Sequence, residues 1–275
     1  MTEVSYTRKF FIVLVALIFF LPIWWLAASS FRPSDSIFRY LSPIGIYTFW
    51  PDEWTLRNVV GIWDSPFGLA ICNSMVVSMI TVVVGLALCS TAAFALAVLE
   101  FPFRNAVFVV VAISFLIPFD TIAIPLYSIM RMFGLQDSYA GLVLPGLGDG
   151  FAIFLLRQFF LGIPKEIRES AIVDGMGWFR IYYSIYLPLS VPAMVSAALI
   201  LFISQWHAYL WPLLIAPSAD YKVAAVAIAQ FASANRTDYG PMFAGALFIA
   251  VIPMAVLTIL QRYYSASIAA TGSKE

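Results

Sequence analysis

Charge is scarce in this sequence. Lys, Arg, Asp and Glu make up only 11% of 275 residues, where a soluble domain carries about 25%. The two signs balance at fifteen residues each, so no basic surplus exists to hold a nucleic-acid backbone. Histidine occurs once, at His207, and cysteine twice, at Cys72 and Cys89. That inventory excludes most metal-site spacings. The two cysteines fall on one apolar run, roughly 25 Å apart if it is helical at ~1.5 Å per residue, too far to pair with each other. The phosphate-cradling pattern Gly-x-x-x-x-Gly-Lys-Ser/Thr is also missing, so the chain has no loop of the usual kind for ATP.

What is present is apolar. Hydrophobic residues reach 62%, arranged in runs near 20 residues, about the length of a membrane-crossing helix. A barrel would show short alternating segments instead. The expected fold is an all-α polytopic membrane protein forming a single transmembrane domain over residues 1–275. Six spans are expected, at about 10–28, 69–98, 106–130, 139–160, 188–214 and 239–261. The first resembles a signal peptide in ending on Ala27-Ala28-Ser29. It has a full span's length and more spans follow, so it reads as an uncleaved helix. Between spans one and two, Pro33, Pro43, Pro51 and Pro66 argue against a long helix. Trp50, Trp54 and Trp63 there suit a membrane–water boundary. In the fourth span, Gly146-x-x-x-Gly150 permits close helix contact, and Pro145 with its neighbouring glycines is equally able to break the helix.

Six spans put both termini on one side. Nine of the Lys and Arg residues fall on that side and six on the other. The positive-inside rule therefore places both termini, and the loop at residues 161–187, in the cytoplasm. That loop is the most charged window of the chain, with Lys165, Glu166, Arg168, Glu169, Asp174 and Arg180. Pro164-Lys-Glu opens a helix well. Gly175 and Gly177 stop or bend it, and Trp178–Tyr186 resumes with the aromatic spacing of an interfacial helix. Ile167, Ala171 and Val173 give the first helix an apolar face. Such a face in water reads as a docking surface or as a helix resting on lipid.

Glu169-Ser-Ala-x-x-Asp174-Gly175, followed by Ile185-x-Leu187-Pro188-Leu189-x-x-Pro192, resembles the Glu-Ala-Ala loop of ABC importer permeases. Ile124-Pro-Leu-Tyr, Phe154-Leu-Leu-Arg-Gln-Phe-Phe, Ile163-Pro-Lys-Glu, Leu210-Trp-Pro-Leu and Gln261-Arg-Tyr are similar to the carbohydrate-uptake, maltose-type second-permease branch. The chain departs from the pattern at Ser170, where alanine is usual, and at His207-Ala208, where the family often has Asn and an acid. The resemblance implies a coupling helix docked on a cytoplasmic ATPase dimer. Glu166, Glu169, Ser170, Ala171, Asp174, Gly175, Leu187 and Pro188 would carry it. Glu169 would make polar contacts, Ala171 would allow close approach, Asp174 would fix the turn and Gly175 would supply the bend. It implies a bacterial or archaeal inner-membrane subunit with no ATPase site of its own. ATP and Mg would sit on the partner ATPase, beside a second permease and an external solute-binding protein touched by loop 216–238.

Ionisable groups inside spans are costly and mark functional candidates. Asp120, Asp149 and His207 qualify, with Gln205, Trp206 and Tyr209 near one span end. Carboxylates suit sugar hydroxyls, and aromatic rings suit a sugar face. Two other readings compete with a transporter subunit. One is an intramembrane enzyme using Asp120 and Asp149. The other is a stand-alone secondary transporter, which would be expected to show an internal repeat.

Overall fold

The computed structural model describes residues 6–232 and 237–271, without the side chains of Thr7 and of residues 262–271. Its regular elements are helical, in the order α1 (Tyr6–Ser30), α2 (Ile46–Phe49), α3 (Arg57–Trp63), α4 (Pro66–Val98), α5 (Arg104–Ser114), α6 (Phe119–Met132), α7 (Tyr139–Val143), α8 (Gly150–Leu161), α9 (Lys165–Val173), α10 (Trp178–Ile181), α11 (Leu187–Leu189), α12 (Val191–Trp206), α13 (Leu210–Ile215), α14 (Ala224–Ala227) and α15 (Tyr239–Thr271). Among the described residues the only β pairing is an isolated bridge from Ala232 to Thr237.

Among the described residues, three helices are long and apolar enough to cross a membrane, at Arg8–Ser30, Pro66–Val98 and Tyr239–Gln261. Three bent pairs raise that count to as many as six. The segment expected as one helix at 106–130 is α5 and α6, meeting at 102°. Pro118 sits between them with φ −57° and ψ 130°. Its ring cannot donate into the helix ladder, so α5 ends and α6 starts afresh. The stretch 139–160 takes the broken alternative, with a 44° bend between Tyr139–Gly146 and Gly150–Leu161. The stretch after Trp178 turns by 84° at Ser190 before α12 begins. Pro188 and Pro192 flank that corner and each withholds one backbone donor.

The chain divides into two compact units. One holds residues up to Ile71 together with Ala224–Ile252, and the other holds Cys72–Val223 with the remainder of α15. In the first unit, Ile62, Phe67, Ala70, Ile71, Ala224, Ala227 and Ala244 form the core. The proline-rich stretch after α1 is tied down by polar anchors. Fully buried Arg32 donates from Nη2 to the Tyr47 carbonyl at 2.6 Å. Asn58 donates to the Ser30 carbonyl at 3.2 Å and the Arg32 carbonyl at 2.6 Å. Burial lowers the Arg32 pKa from its ordinary value, with Asp52 working the other way. Trp24, Trp50 and Trp54 gather into a ring cluster, with centroids 5.7 and 5.5 Å apart along the series. None of the most apolar window of α1 is buried, as befits a helix whose solvent is lipid.

The second unit packs α4, α8 and α12 around Cys89, Ala93, Leu96, Ala152, Leu156, Ala193, Ala197 and Leu201. Ala193 and Ala197 lie four residues apart on α12, so both face the same neighbour and let it come close. Arg157 on α8 lays its guanidinium 3.7 Å from the Phe108 ring centroid and donates from Nε to the Leu96 carbonyl at 3.1 Å. Its charge is thereby turned into a packing element. Fully buried Asn73 clamps residues 218–222. It donates to the Asp220 and Lys222 carbonyls at 2.8 and 2.9 Å and accepts from the Tyr139 hydroxyl at 2.7 Å.

Candidate functional site

Two features of the second unit bear on function, a surface helix and a cavity. The surface helix is α9. Glu166 lies in its first turn, where an acid suits the helix dipole. Its end is a Schellman cap. Met176 N–H donates to the Ala171 carbonyl and Gly175 N–H to the Ile172 carbonyl, both at 3.0 Å. Such a cap needs a left-handed residue after the last turn, and Gly175 has φ +76°. Nothing lies within 4 Å of where a Gly175 Cβ would be, so the backbone angle alone demands glycine.

Ala171 is 4% exposed and belongs to the unit's core cluster, with Met176 packed against it. Its small size therefore serves packing within the chain. The outward surface of α9 is made by Glu166, Ile167, Glu169, Ser170, Ile172 and Val173, all exposed. Val173 reaches 87% and Phe179 just beyond reaches 81%. Exposed Glu169 stands 3.9 Å from the largely covered Arg168, the far limit of an ion pair. After α10 the chain widens into a π-helical turn at Tyr182–Tyr186 before Leu187-Pro188. Tyr182 and Tyr186 pack with Phe94 in an aromatic cluster, and the Tyr182 hydroxyl lies 2.7 Å from Ser90 Oγ.

The cavity has a volume of about 590 Å³. It collects residues from three interruptions in the helices: the α5–α6 corner, the α7–α8 bend, and the gap between α12 and α13. Irregular backbone at membrane depth is tolerated where it lines a cavity. Asp120 comes from the first turn of α6. Asp149 is the N-cap of α8 and accepts from Ala152 N–H at 2.7 Å. Gln205 lies in the last turn of α12, His207 caps it, and Tyr209 precedes α13. His207 Nδ1 lies 3.1 Å from the Ile203 carbonyl.

Five of the six residues singled out for a solute path thus share one cavity: Asp120, Asp149, Gln205, His207 and Tyr209. Trp206 is not among its lining. It is 2% exposed and stacks on Phe202 at 5.7 Å. Trp211 takes the aromatic place, held by an Nε1 bond to the Gly141 carbonyl at 3.0 Å. Ser204 and Thr81 are polar lining residues that sequence reasoning passed over, Thr81 because it looked like one of several small polar residues in α4. It donates to Gln205 Oε1 at 3.4 Å. Gly146 makes room for this pair, since a Cβ there would lie 2.9 Å from Gln205 Oε1 and 3.3 Å from the Thr81 methyl. Gly150 likewise lets α8 approach α5, with its Cβ position 2.8 Å from Ser114 Oγ. The Gly-x-x-x-Gly spacing therefore marks two close approaches on either side of a helix break. Among the described residues no group of three or more His, Cys, Asp or Glu is placed to hold a metal.

Residues 90–269 match the family model described as "Binding-protein-dependent transport system inner membrane component". The chain is 32% identical to an arabinooligosaccharides transport system permease protein of Halalkalibacterium halodurans, covering 94% of this chain and 93% of that one. It is 31% identical to an sn-glycerol-3-phosphate transport system permease protein of Yersinia enterocolitica, over 78% of this chain and 79% of the relative. In three dimensions it is similar to a chain in the crystal structure of a bacterial ABC transporter involved in the import of the acidic polysaccharide alginate. The TM-score is 0.79 at 19% identity, covering 96% of this chain and 100% of the other.

Proposed function

Because this chain belongs to the family of binding-protein-dependent transport system inner membrane components, we propose that it is one of two permease subunits of an ATP-driven sugar importer. It works as a multi-pass subunit of a bacterial or archaeal inner membrane, with both termini in the cytoplasm. Its six spans form one transmembrane domain and half of the translocation path. A separate cytoplasmic ATPase dimer holds ATP and Mg, and a homologous second permease completes the path. An external binding protein delivers the solute, touching loop 216–238, of which residues 233–236 lie outside the described structure. The sugar class follows the cargo named for the arabinooligosaccharide relative. The comparisons give no support to an intramembrane enzyme or a stand-alone secondary transporter.

The observation that carries this reading is α9 with its Schellman end. A short charged helix exposes Ile167, Ile172 and Val173 on its outer side, while Ala171 seats its inner side in the core. Exposed apolar side chains on a water-facing helix call for a partner. Glu166, Glu169 and Ser170 supply the polar contacts around them, and Asp174 and Gly175 set the turn. From α9 the chain runs through α10, Leu187 and Pro188 into α12, so motion of a docked ATPase is passed to the spans as a rigid-body displacement.

Gly175→Val tests this. Uptake and solute-stimulated ATP hydrolysis by the assembled importer should fall below detection, while membrane insertion is unchanged. Normal uptake by that variant would remove α9 as the coupling element.

A further inference from the structure

The charge pattern of the cavity leads beyond its location, on the premise that it lies on the solute path. Its lining carries two carboxylates, Asp120 and Asp149, and neither Lys nor Arg among the described residues. Besides the six-residue α13, two longer helices begin at it. A helix N-terminus with bare N–H groups is a ready seat for phosphate or carboxylate. Here α8, a helix of 12 residues, has that seat occupied by its own Asp149, whose Oδ1 takes the Ala152 N–H at 2.7 Å. In α6, of 14 residues, the first turn carries Asp120. An incoming anion therefore meets a fixed carboxylate at both places where the backbone would otherwise attract it. Asp149 is half-buried and Asp120 exposed, so like-charge repulsion is less screened by water at Asp149 than at Asp120. The remaining polar side chains, the Gln205 amide, the Thr81, Ser204 and Tyr209 hydroxyls and the His207 imidazole, both donate and accept, as an uncharged polyol requires. Tyr209, 47% exposed, offers a ring face to a pyranose or furanose.

We propose that this cavity is an anion-excluding sugar seat. It admits uncharged and amine-bearing sugars and rejects uronates and sugar phosphates, with Asp120 and Asp149 as the specificity determinants. Discrimination of this kind works by repelling the wrong solute rather than by gripping the right one.

The test uses the assembled importer in nanodiscs and three radiolabelled probes: arabinobiose, a glucosamine dimer and digalacturonate. Retention is measured by equilibrium dialysis. Wild type should retain digalacturonate at least about tenfold less than arabinobiose, equivalent to about 1.4 kcal/mol. The glucosamine dimer should be retained at least as well as arabinobiose. In the Asp120→Asn, Asp149→Asn double variant, the ratio of digalacturonate to arabinobiose retention should rise about tenfold. Asparagine caps helices as aspartate does, so charge is removed without loss of the cap. Equal retention of the neutral and anionic probes by wild type, or an unchanged ratio in the double variant, overturns the proposal. Ser204→Trp separates the premise from the inference, because exposed Ser204 lines the same cavity. If it leaves arabinobiose retention intact, or if wild type holds none of the probes, the cavity is not on the path. If it abolishes retention while the double variant keeps the wild-type ratio, only the charge inference falls.

Discussion

The surface helix α9 and the cavity are built in opposite ways. Every bond that defines the end of α9 joins residues within five positions of one another. The cavity needs Thr81, Asp120, Gly146 and Gln205 to converge from segments up to 124 residues apart. A locally built feature depends on backbone angles and fails when one angle is forbidden. A feature built from distant segments depends on many modest contacts and degrades by steps.

The sharpest break of that contrast is at Gly175. Valine is strained by about 1–2 kcal/mol at a left-handed position, and the loss of uptake expected above should be complete. Gly175→Asn, measured in the same uptake assay, should keep most of the activity, because asparagine tolerates positive φ. Poor activity of both variants would show that the site requires small size rather than a backbone angle.

The next effect falls on the long-range side. Asn73→Ala removes two hydrogen bonds that hold Asp220 and Lys222 and a third from the Tyr139 hydroxyl. The cost should be about 1–3 kcal/mol for buried groups left unpaired. Limited proteolysis should then cut near Asp220–Lys222 well before α4 or α12 is attacked. Resistance equal to wild type would mean that the clamp is redundant. Asp149→Ala should cost about 1 kcal/mol through the lost α8 cap, and Asp149→Asn a few tenths. Thermal unfolding in detergent distinguishes them, and equal losses would deny the cap its role.

The smallest effect is expected where Tyr40 donates to Asp52 in the loop after α1. That hydrogen bond holds the Asp52 carboxyl below its ordinary pKa and raises that of the Tyr40 hydroxyl. A depressed carboxyl stabilises the fold above the unfolded carboxylate range, and this contribution disappears as pH falls through the lower folded value. The difference in unfolding temperature between wild type and Asp52→Asn should therefore stay constant from about pH 7 to about pH 5. It should shrink only in stronger acid. Because the pair is exposed, it should be the least consequential of the sites considered, and a change near neutrality would contradict the assignment.

What was legible in the sequence follows the same division. The helix opening at Pro164-Lys165, its stop at Gly175 and the aromatic restart at Trp178 were readable, because each obeys short-range rules. The apolar runs gave the helices, and Pro145 with its glycines gave the break at 139–160 as an alternative, but the corners at Pro118 and Ser190 went unread. Pro118 lies inside an unbroken apolar stretch, and only the three-dimensional path reveals a 102° turn there rather than a kink. Gln205, His207 and Tyr209 could be picked out as polar residues at a span end. Thr81 could not, since its role depends on Gly146 being absent of a side chain and on α12 ending opposite it. Ala171 carried the clearest expectation of close approach, and the neighbour it approaches is its own core.

The 84° corner at Ser190 makes the 12 residues from Trp178 to Leu189 a lever. At ~1.5 Å per residue the arm is about 18 Å long. It stands nearly at right angles to α12, so a twist of α12 about its own axis becomes a sweep of the arm's tip. A twist of about 10° swings the tip by about 3 Å, on that same helix length. The leverage also runs in reverse. A modest push applied near Trp178 arrives at α12 as a torque, and α12 carries Gln205 in its last turn. Gearing of this kind lets a small rotation at one end of the molecule re-aim a side chain at the other without breaking any helix between them.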